Sequence, residues 1–447
     1  MKVVIKEALL YVDGEFIEGG IVVSNGVIEA LVKDPSKYVQ GADEVIDASR
    51  RLTIPGGIDL HAHIYDPEYI HHEDWRSGST AAAFGGVTTV FDMPLRLFVD
   101  SVEKLKLKVE AGLRDSFVNF GVHAGMIKDD NYEFINELYS AGVTGYKIYM
   151  VGEWRPSDKA LLEALERVSS IDGVAIVHAE DDQLISHGLR KASSRSDALA
   201  HHESRSDVAE ASSIAKVGFY SMETGAHVHI AHVSSKLGSL TVESLWSMGV
   251  MITAETCPHY LFFTRDDVKR YGNYLKVTPS LKTLDDVEWL WMSLSRGVID
   301  AVASDHAPST IEEKETQDPW SAWSGIPVIE TMIPFTYTYG VRMGRIDYGK
   351  FIEVTSINPA RIARLYPRKG ALAAGSDADI VVLDVEKERV VKADELHYKV
   401  GWSPFEGLRL TGWPCHVIVS GRPVIVNGEL VGKPGFGKYV GSTPIGS

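Results

Sequence analysis

The chain is poor in the residues that would staple it covalently or seat it in a membrane. Its 447 residues include two cysteines, Cys257 and Cys415, far apart and without a Cys-x-x-Cys partner. That excludes a disulfide framework and a thiolate zinc site, and both read as small packed side chains. No apolar run approaches the roughly 18 residues of a membrane span. The opening Met1-Lys2-Val3-Val4-Ile5-Lys6-Glu7 lacks the apolar core and cleavage site of a secretion signal, so a cytoplasmic protein is expected. Positive charge is also scarce: 45 Lys and Arg stand against 61 Asp and Glu, a formal charge of -16, so neither nucleic acid nor an acidic membrane is expected as a partner. Glutamine occurs only as Gln40, Gln183 and Gln317, and depletion of labile amides is a trait of thermophile proteins.

What is present divides by texture. Residues 1–52 alternate apolar and polar with turn signals at Asp13-Gly14, Gly19-Gly20 and Asn25-Gly26, and residues 366–447 resume that pattern, as in Ile380-Val381-Val382-Leu383. Neither tract closes a sheet comfortably alone, so the two ends are expected to meet in one small β-sandwich domain. Between them, residues 53–365 alternate apolar runs with helical patterns, the signature of repeated βα units. Strands are expected over 54–60, 87–92, 118–124, 143–149, 174–178, 228–232, 250–255 and 298–304. Eight such units make an α/β fold of the (β/α)₈ TIM-barrel type. An open doubly wound sheet is the alternative, but no Gly-rich phosphate loop opens a helix here.

Residues of metal-ligand type stand at the ends of those runs: His61 and His63, Lys147, His178, His232 and Asp305. Strand ends are where a barrel assembles a site, because all eight strands converge at its C-terminal mouth. His61 and His63, two apart on a strand, point the same way about 6.6 Å apart, close enough to share an ion. Four His, one Asp and one Lys exceed the needs of one tetrahedral zinc but suit two ions sharing a bridge. A lysine can bridge if its neutral amine takes up CO₂ to form a carbamate, and burial favours that neutral amine. The other His-x-His, His227 and His229, reads as packing or surface.

The chain resembles the amidohydrolase superfamily, specifically its cyclic amidases: dihydroorotase, hydantoinase and allantoinase. The resemblance is carried by Pro55-Gly56-Gly57-Ile58-Asp59-Leu60-His61-Ala62-His63, Asp92-Met93-Pro94, Lys147, His178-Ala179-Glu180, His232-Val233-Ser234-Ser235, Glu255-Thr256-Cys257-Pro258-His259-Tyr260 and Ser304-Asp305-His306-Ala307-Pro308. It implies that His61, His63 and Asp305 hold one divalent metal and His178 and His232 a second, with N6-carboxylated Lys147 bridging both. Zinc leads, with manganese, cobalt or iron as alternatives. It further implies a hydroxide between the ions as nucleophile, Asp305 as the proton shuttle, and a homodimer or homotetramer. A mononuclear deaminase would not need Lys147, and a non-catalytic scaffold relative would have lost ligands, of which none is missing. His259 and His306 read as structural, His71-His72 and His201-His202 as solvated, and Glu73, Asp74 and Glu180 as caps or exposed residues.

The substrate class is read from absences. Dihydroorotases carry an Arg two residues past the His-x-His pair and an Asn after Met-Pro, which grip a carboxylate; here those positions are Tyr65 and Leu95. A buried carboxylate without such a fork costs several kcal/mol, unless Arg96 replaces it. The Tyr and Asn characteristic of hydantoinases are replaced by Gly152 and Ser324. Met93-Pro94-Leu95 and Ala322-Trp323-Ser324-Gly325-Ile326 look more like allantoinase, although Arg96 stands where an Asn is common. The expected substrate is a small cyclic ureide or imide, with hydrolysis of allantoin to allantoate first, a hydantoinase or dihydropyrimidinase activity second and dihydroorotase third. Tyr65, Leu95, Arg96, Tyr149, Thr278 and Ser324 are the expected substrate contacts.

Overall fold

In a computed structural model of the chain, residues 1–12 and 14–441 are described; Asp13 of the expected Asp13-Gly14 turn and residues 442–447 lie outside the described residues. The N-terminal strands are β1 (Lys2–Val12), β2 (Glu15–Ser24), β3 (Val27–Val32), β4 (Glu44–Asp47) and β5 (Leu52–Pro55). The barrel strands are β6 (Gly57–Ala62), β7 (Val87–Asp92), β8 (Asn119–Val122), β9 (Gly145–Tyr149), β10 (Val174–His178), β11 (His227–Ile230), β12 (Ile252–Thr256) and β13 (Ala301–Val302). The C-terminal strands are β14 (Ile380–Asp384), a short pair β15 (Arg389–Val390) and β16 (Arg409–Leu410), then β17 (Trp413–Val419), β18 (Arg422–Val426) and β19 (Glu429–Leu430).

The run expected as one strand over 54–60 is two. β5 pairs with β1 and β14 in the terminal sheet, whereas β6 pairs with β7 in the barrel. Gly56 makes the break, because a Cβ there would lie 2.1 Å from the Thr88 hydroxyl. The eight barrel strands form two parallel arcs, β6-β7-β8 and β9-β10-β11-β12-β13. Parallel bridges from Ala124 to Tyr146 and from Ala62 to His306 join the arcs, closing the ring.

The barrel helices begin where side-chain acceptors cap them. Asp74, Ser101, Ser157, Ser206 and Ser235 each accept a backbone N–H in the first turn. Thr283 and Asp286 form a reciprocal box at the start of helix Leu284–Arg296. Helices Asp182–Ala192 and Leu199–Ser204 fill the long connection between β10 and β11. Helices from Met332 to Ile362 were missed. The run Met332-Ile333-Pro334-Phe335 is buried on all sides and shows no amphipathic period to read.

Both chain ends build the terminal sheet, ordered β19-β18-β17-β14-β5-β1-β2-β3 with β4 also on β1. Alternate residues split between two cores: Ile380 and Val382 pack with Val3, Ile5, Ile21 and Val23, while Val381 and Leu383 join the barrel core. With both faces covered, β14 reads as a continuous apolar run. The Asn25-Gly26 turn is present, both residues having positive φ. Gly19-Gly20 is not a turn but lies inside β2, where a Cβ would come within 2.5 Å of Val32 or Ile5 carbonyl oxygens. Among the described residues no helix is long and apolar enough to cross a membrane.

A buried polar knot ties the sheet to the barrel. Asp379 accepts from the Asn119 side-chain amide at 3.1 Å and the Ser420 backbone N–H at 2.7 Å, and pairs with the Lys369 ammonium, which also reaches Asp377 at 3.0 Å. Removing one member strands the others in the interior. Asp379→Ala should therefore lower unfolding stability by about 3 kcal/mol, measured by chemical denaturation, while Asp377→Ala, at the half-exposed edge of the same knot, should cost clearly less.

Candidate metal centre and active site

His61 and His63 are brought to the barrel mouth by β6, Lys147 by β9, His178 by β10, His232 by the two residues beyond β11, and Asp305 by the extension of β13. All six expected ligands converge. The ligand atoms of His61, His63 and Asp305 lie within 4.8 Å of one another. Both imidazole Nε2 atoms are 3.4 Å from Asp305 Oδ1. Beside them His178 Nδ1 and His232 Nε2 are 3.0 Å apart. Lys147 is fully buried, and its Nζ has no hydrogen-bond partner among the described residues. His61 Nε2 and His232 Nδ1 are likewise unpartnered.

Burial pushes the His61, His178 and His232 imidazoles down, so they are neutral, the form that binds metal. It also pushes the Lys147 ammonium down to about 8, against the pull of the Asp305 and Glu255 carboxylates. Burial alone would raise Asp305, but the His61, His63 and His259 imidazoles hold it below the usual carboxylate range.

An outer layer of hydrogen bonds orients His61, His63 and His178. His61 Nδ1 faces Glu255 Oε1 at 2.6 Å, and the other Glu255 oxygen faces His229 Nε2 at 3.1 Å. His63 Nδ1 meets the Met93 carbonyl at 2.8 Å. His178 Nε2 meets Glu180 Oε2 at 2.7 Å, and Glu180 is gripped in turn by Arg205. Two ligands hold unusual backbone, His232 at φ 41° and Asp305 at φ 45°. Such conformations cost about 1–3 kcal/mol and persist only when their surroundings enforce them. Here Asp59, wholly buried, accepts from the Ser304 backbone N–H at 3.0 Å and from its hydroxyl, and Glu255 O accepts from Val233 N at 2.7 Å.

A cavity of about 260 Å³ opens directly onto the cluster, lined by His63, His178, His232 and Asp305. Five of the six expected substrate contacts, Leu95, Arg96, Tyr149, Thr278 and Ser324, line it too. Tyr65 does not: it is buried behind His63, its ring stacked at 15° and 6.1 Å from that imidazole. Trp154, Ala307 and Trp323 complete the wall. Neither tryptophan was expected; Trp323 lies inside Ala322-Trp323-Ser324-Gly325-Ile326, but Trp154 carries no local signal. The Arg96 guanidinium lies 4.7 Å from both the Tyr69 and Trp323 rings.

Several residues expected at the surface are buried. His72 is 0% exposed, and His201 and His202 sit in the interior, His201 Nε2 against the Val277 carbonyl and His202 Nδ1 accepting from Leu281 N. Glu180, read as a cap or exposed, is 1% exposed beneath His178, and Glu73 is buried against His306 Nε2 at 3.1 Å. Asp74 does cap a helix, accepting from Ser77 N. His227 and His229, read as packing or surface, both meet Thr253, and His229 also reaches the Glu255 that orients His61.

The amidohydrolase family model matches residues 52–424. Relatives similar over nearly the whole chain include an L-hydantoinase of Paenarthrobacter aurescens, 31% identical across 98% of this chain and 97% of the relative. An allantoinase of Rubrobacter xylanophilus is 32% identical across 96% of each. A dihydroorotase of Methanosarcina mazei is 32% identical across 98% and 97%. The solved L-hydantoinase (dihydropyrimidinase) of Arthrobacter aurescens superposes with a TM-score of 0.94 at 30% identity, covering 98% of this chain and 99% of that one. The closed barrel, the buried His/Asp cluster at its mouth and these full-length likenesses agree, and the chain belongs to the amidohydrolase family, in its cyclic amidase group.

Proposed function

We propose that the protein opens the ring of a small cyclic ureide, with allantoin to allantoate the leading reaction, at a pair of divalent metals held by His61, His63, His178, His232, Asp305 and a carboxylated Lys147. The observation that carries this reading is the gathering of His61, His63 and Asp305, their ligand atoms within 4.8 Å of one another, beside His178 Nδ1 and His232 Nε2 at 3.0 Å, at a cavity lined by His63, His178, His232 and Asp305. Neutral imidazoles and a carboxylate are a donor set that suits zinc, manganese, cobalt or iron. Bound metals would supply Lewis acidity and lower the pKa of water toward neutrality.

The chain's own residues account for the remaining steps. The neutral Lys147 amine attacks CO₂ through its lone pair, forms the N–C bond and loses one proton to solvent, leaving a carbamate anion among neutral imidazoles. Asp305, ionised at neutral pH, accepts the proton of the attacking water and returns it to the ring nitrogen as the C–N bond breaks. Thr278 and Ser324, 3.2 Å apart on the wall, offer hydroxyls to the ring's carbonyl and amide groups. Tyr149, stacked 4.6 Å from His178, keeps that side of the cavity dry.

The wall also favours a second reading. Trp154, Trp323 and Leu95 form an apolar surface suited to a hydantoin with a bulky 5-substituent. Dihydroorotate ranks third, because Tyr65 and Leu95 replace a carboxylate clamp and the guanidinium of Arg96 is engaged by two aromatic faces.

Lys147→Ala should lose bound metal and activity together, with activity partly restored by short carboxylic acids that can occupy the bridge. Full activity without any added acid would overturn the carbamate. Asp305→Asn keeps a carbonyl oxygen for ligation but cannot shuttle a proton, so kcat should fall at least about a hundredfold; unchanged turnover with metal content intact would move the proton transfer elsewhere. For the substrate, kcat/KM on allantoin, 5-substituted hydantoins and dihydroorotate should fall in that order for protein prepared with Zn²⁺, Mn²⁺ or Co²⁺ and bicarbonate. Dihydroorotate leading by about tenfold would identify Arg96 as a carboxylate clamp and remove the allantoinase reading.

A further inference from the structure

We infer a second, separate transition-metal site at the rim of the cavity, formed by His71, His72 and Glu313. The three present ligand atoms within 4.8 Å of one another. His72 is wholly buried, yet neither of its ring nitrogens makes a well-aligned hydrogen bond: Nδ1 has no partner, and Nε2 lies 2.8 Å from Glu313 Oε2 without the geometry of one. A buried imidazole with one nitrogen unpartnered and the other in a poorly aligned contact with a carboxylate is under-satisfied, and a cation shared by Nε2 and that carboxylate would replace the contact. The partners are placed to share it. The His71 and His72 rings are 4.4 Å apart, and His71 is exposed, giving an entry path. Glu313 is held in place because Oε2, the oxygen beside His72 Nε2, also accepts from Thr310 N at 3.0 Å.

The site is distinct from the central cluster. Tyr65 stands between them, its ring 5.3 Å from His72 on one side and 6.1 Å from His63 on the other. Two imidazoles and one carboxylate leave a fourth position for water and suit zinc or cobalt rather than magnesium or calcium, which prefer oxygen ligands. A cation here would fasten the segment 65–73 to the segment 310–324, which carries Trp323 and Ser324 of the cavity wall. Trp323 packs 4.6 Å from His72, so the same ion would steady the substrate-facing ring.

The test is a metal count on the whole protein. Wild type, His71→Ala and Glu313→Gln are loaded with Zn²⁺, dialysed against metal-free buffer and measured by plasma mass spectrometry, then reloaded with Co²⁺ and read by visible absorption. His71 is exposed and Glu313 part-exposed, so neither change should disturb the core. Each variant should hold one equivalent less than wild type and lack one component of the Co²⁺ spectrum, whatever the wild-type total. Equal metal content and superimposable spectra in all three proteins would overturn the site, independently of how many ions the central cluster holds.

Discussion

Crowding four imidazoles, a carboxylate and a lysine amine into one dry pocket is the constraint on which the rest of this structure turns. In water these groups would repel, protonate or fold back on themselves. At the barrel mouth they arrive from five different strands, His61 and His63 sharing β6, so rigid backbone sets their separations. Burial then selects the neutral forms of His61, His178 and His232 and weakens the Lys147 ammonium. The left-handed backbone of His232 and Asp305 belongs to the same arrangement, since an extended chain would carry those side chains away from the cluster.

Carboxylates behind the ligands make the arrangement unique. Glu255 serves His61 and His229 at once, Glu180 links His178 to Arg205, and Asp59 fixes Ser304, the residue before Asp305. An imidazole whose far nitrogen is committed to a carboxylate or carbonyl has only its near nitrogen free for a metal. These acids are therefore part of the site although none lines the cavity.

The cavity wall is held differently. Lys276 donates to the carbonyls of Pro319, Trp320 and Ala322, and Lys314 to those of Lys276 and Trp323, so two buried lysine side chains bind the loop bearing Trp323 and Ser324 through its backbone. Side chains on that loop can change without loosening the anchor. This separation of a fixed His/Asp cluster from a backbone-anchored wall is consistent with relatives bearing the names of three different cyclic amidases at similar identity.

The strand periodicity, the terminal β texture and the spaced ligand residues were legible in the sequence, because each depends on local pattern or on residue chemistry. The eight barrel strands and the convergence of His61, His63, Lys147, His178, His232 and Asp305 follow from those patterns once a closed barrel is assumed. Gly56 could not be read as the point where one apolar run becomes strands of two sheets, because only the approach of Thr88 forbids a side chain there. Glu180, Glu73, His72 and His201 looked like surface residues, since burial of a charged or polar group depends on partners hundreds of residues away or on a neighbouring loop. Tyr65 occupied a substrate position by motif alone, and packing against His63 turned it inward. Local sequence therefore determined which residues this protein could use for chemistry, and tertiary packing decided which of them face the cavity, because burial and orientation are properties of pairs of segments rather than of either one.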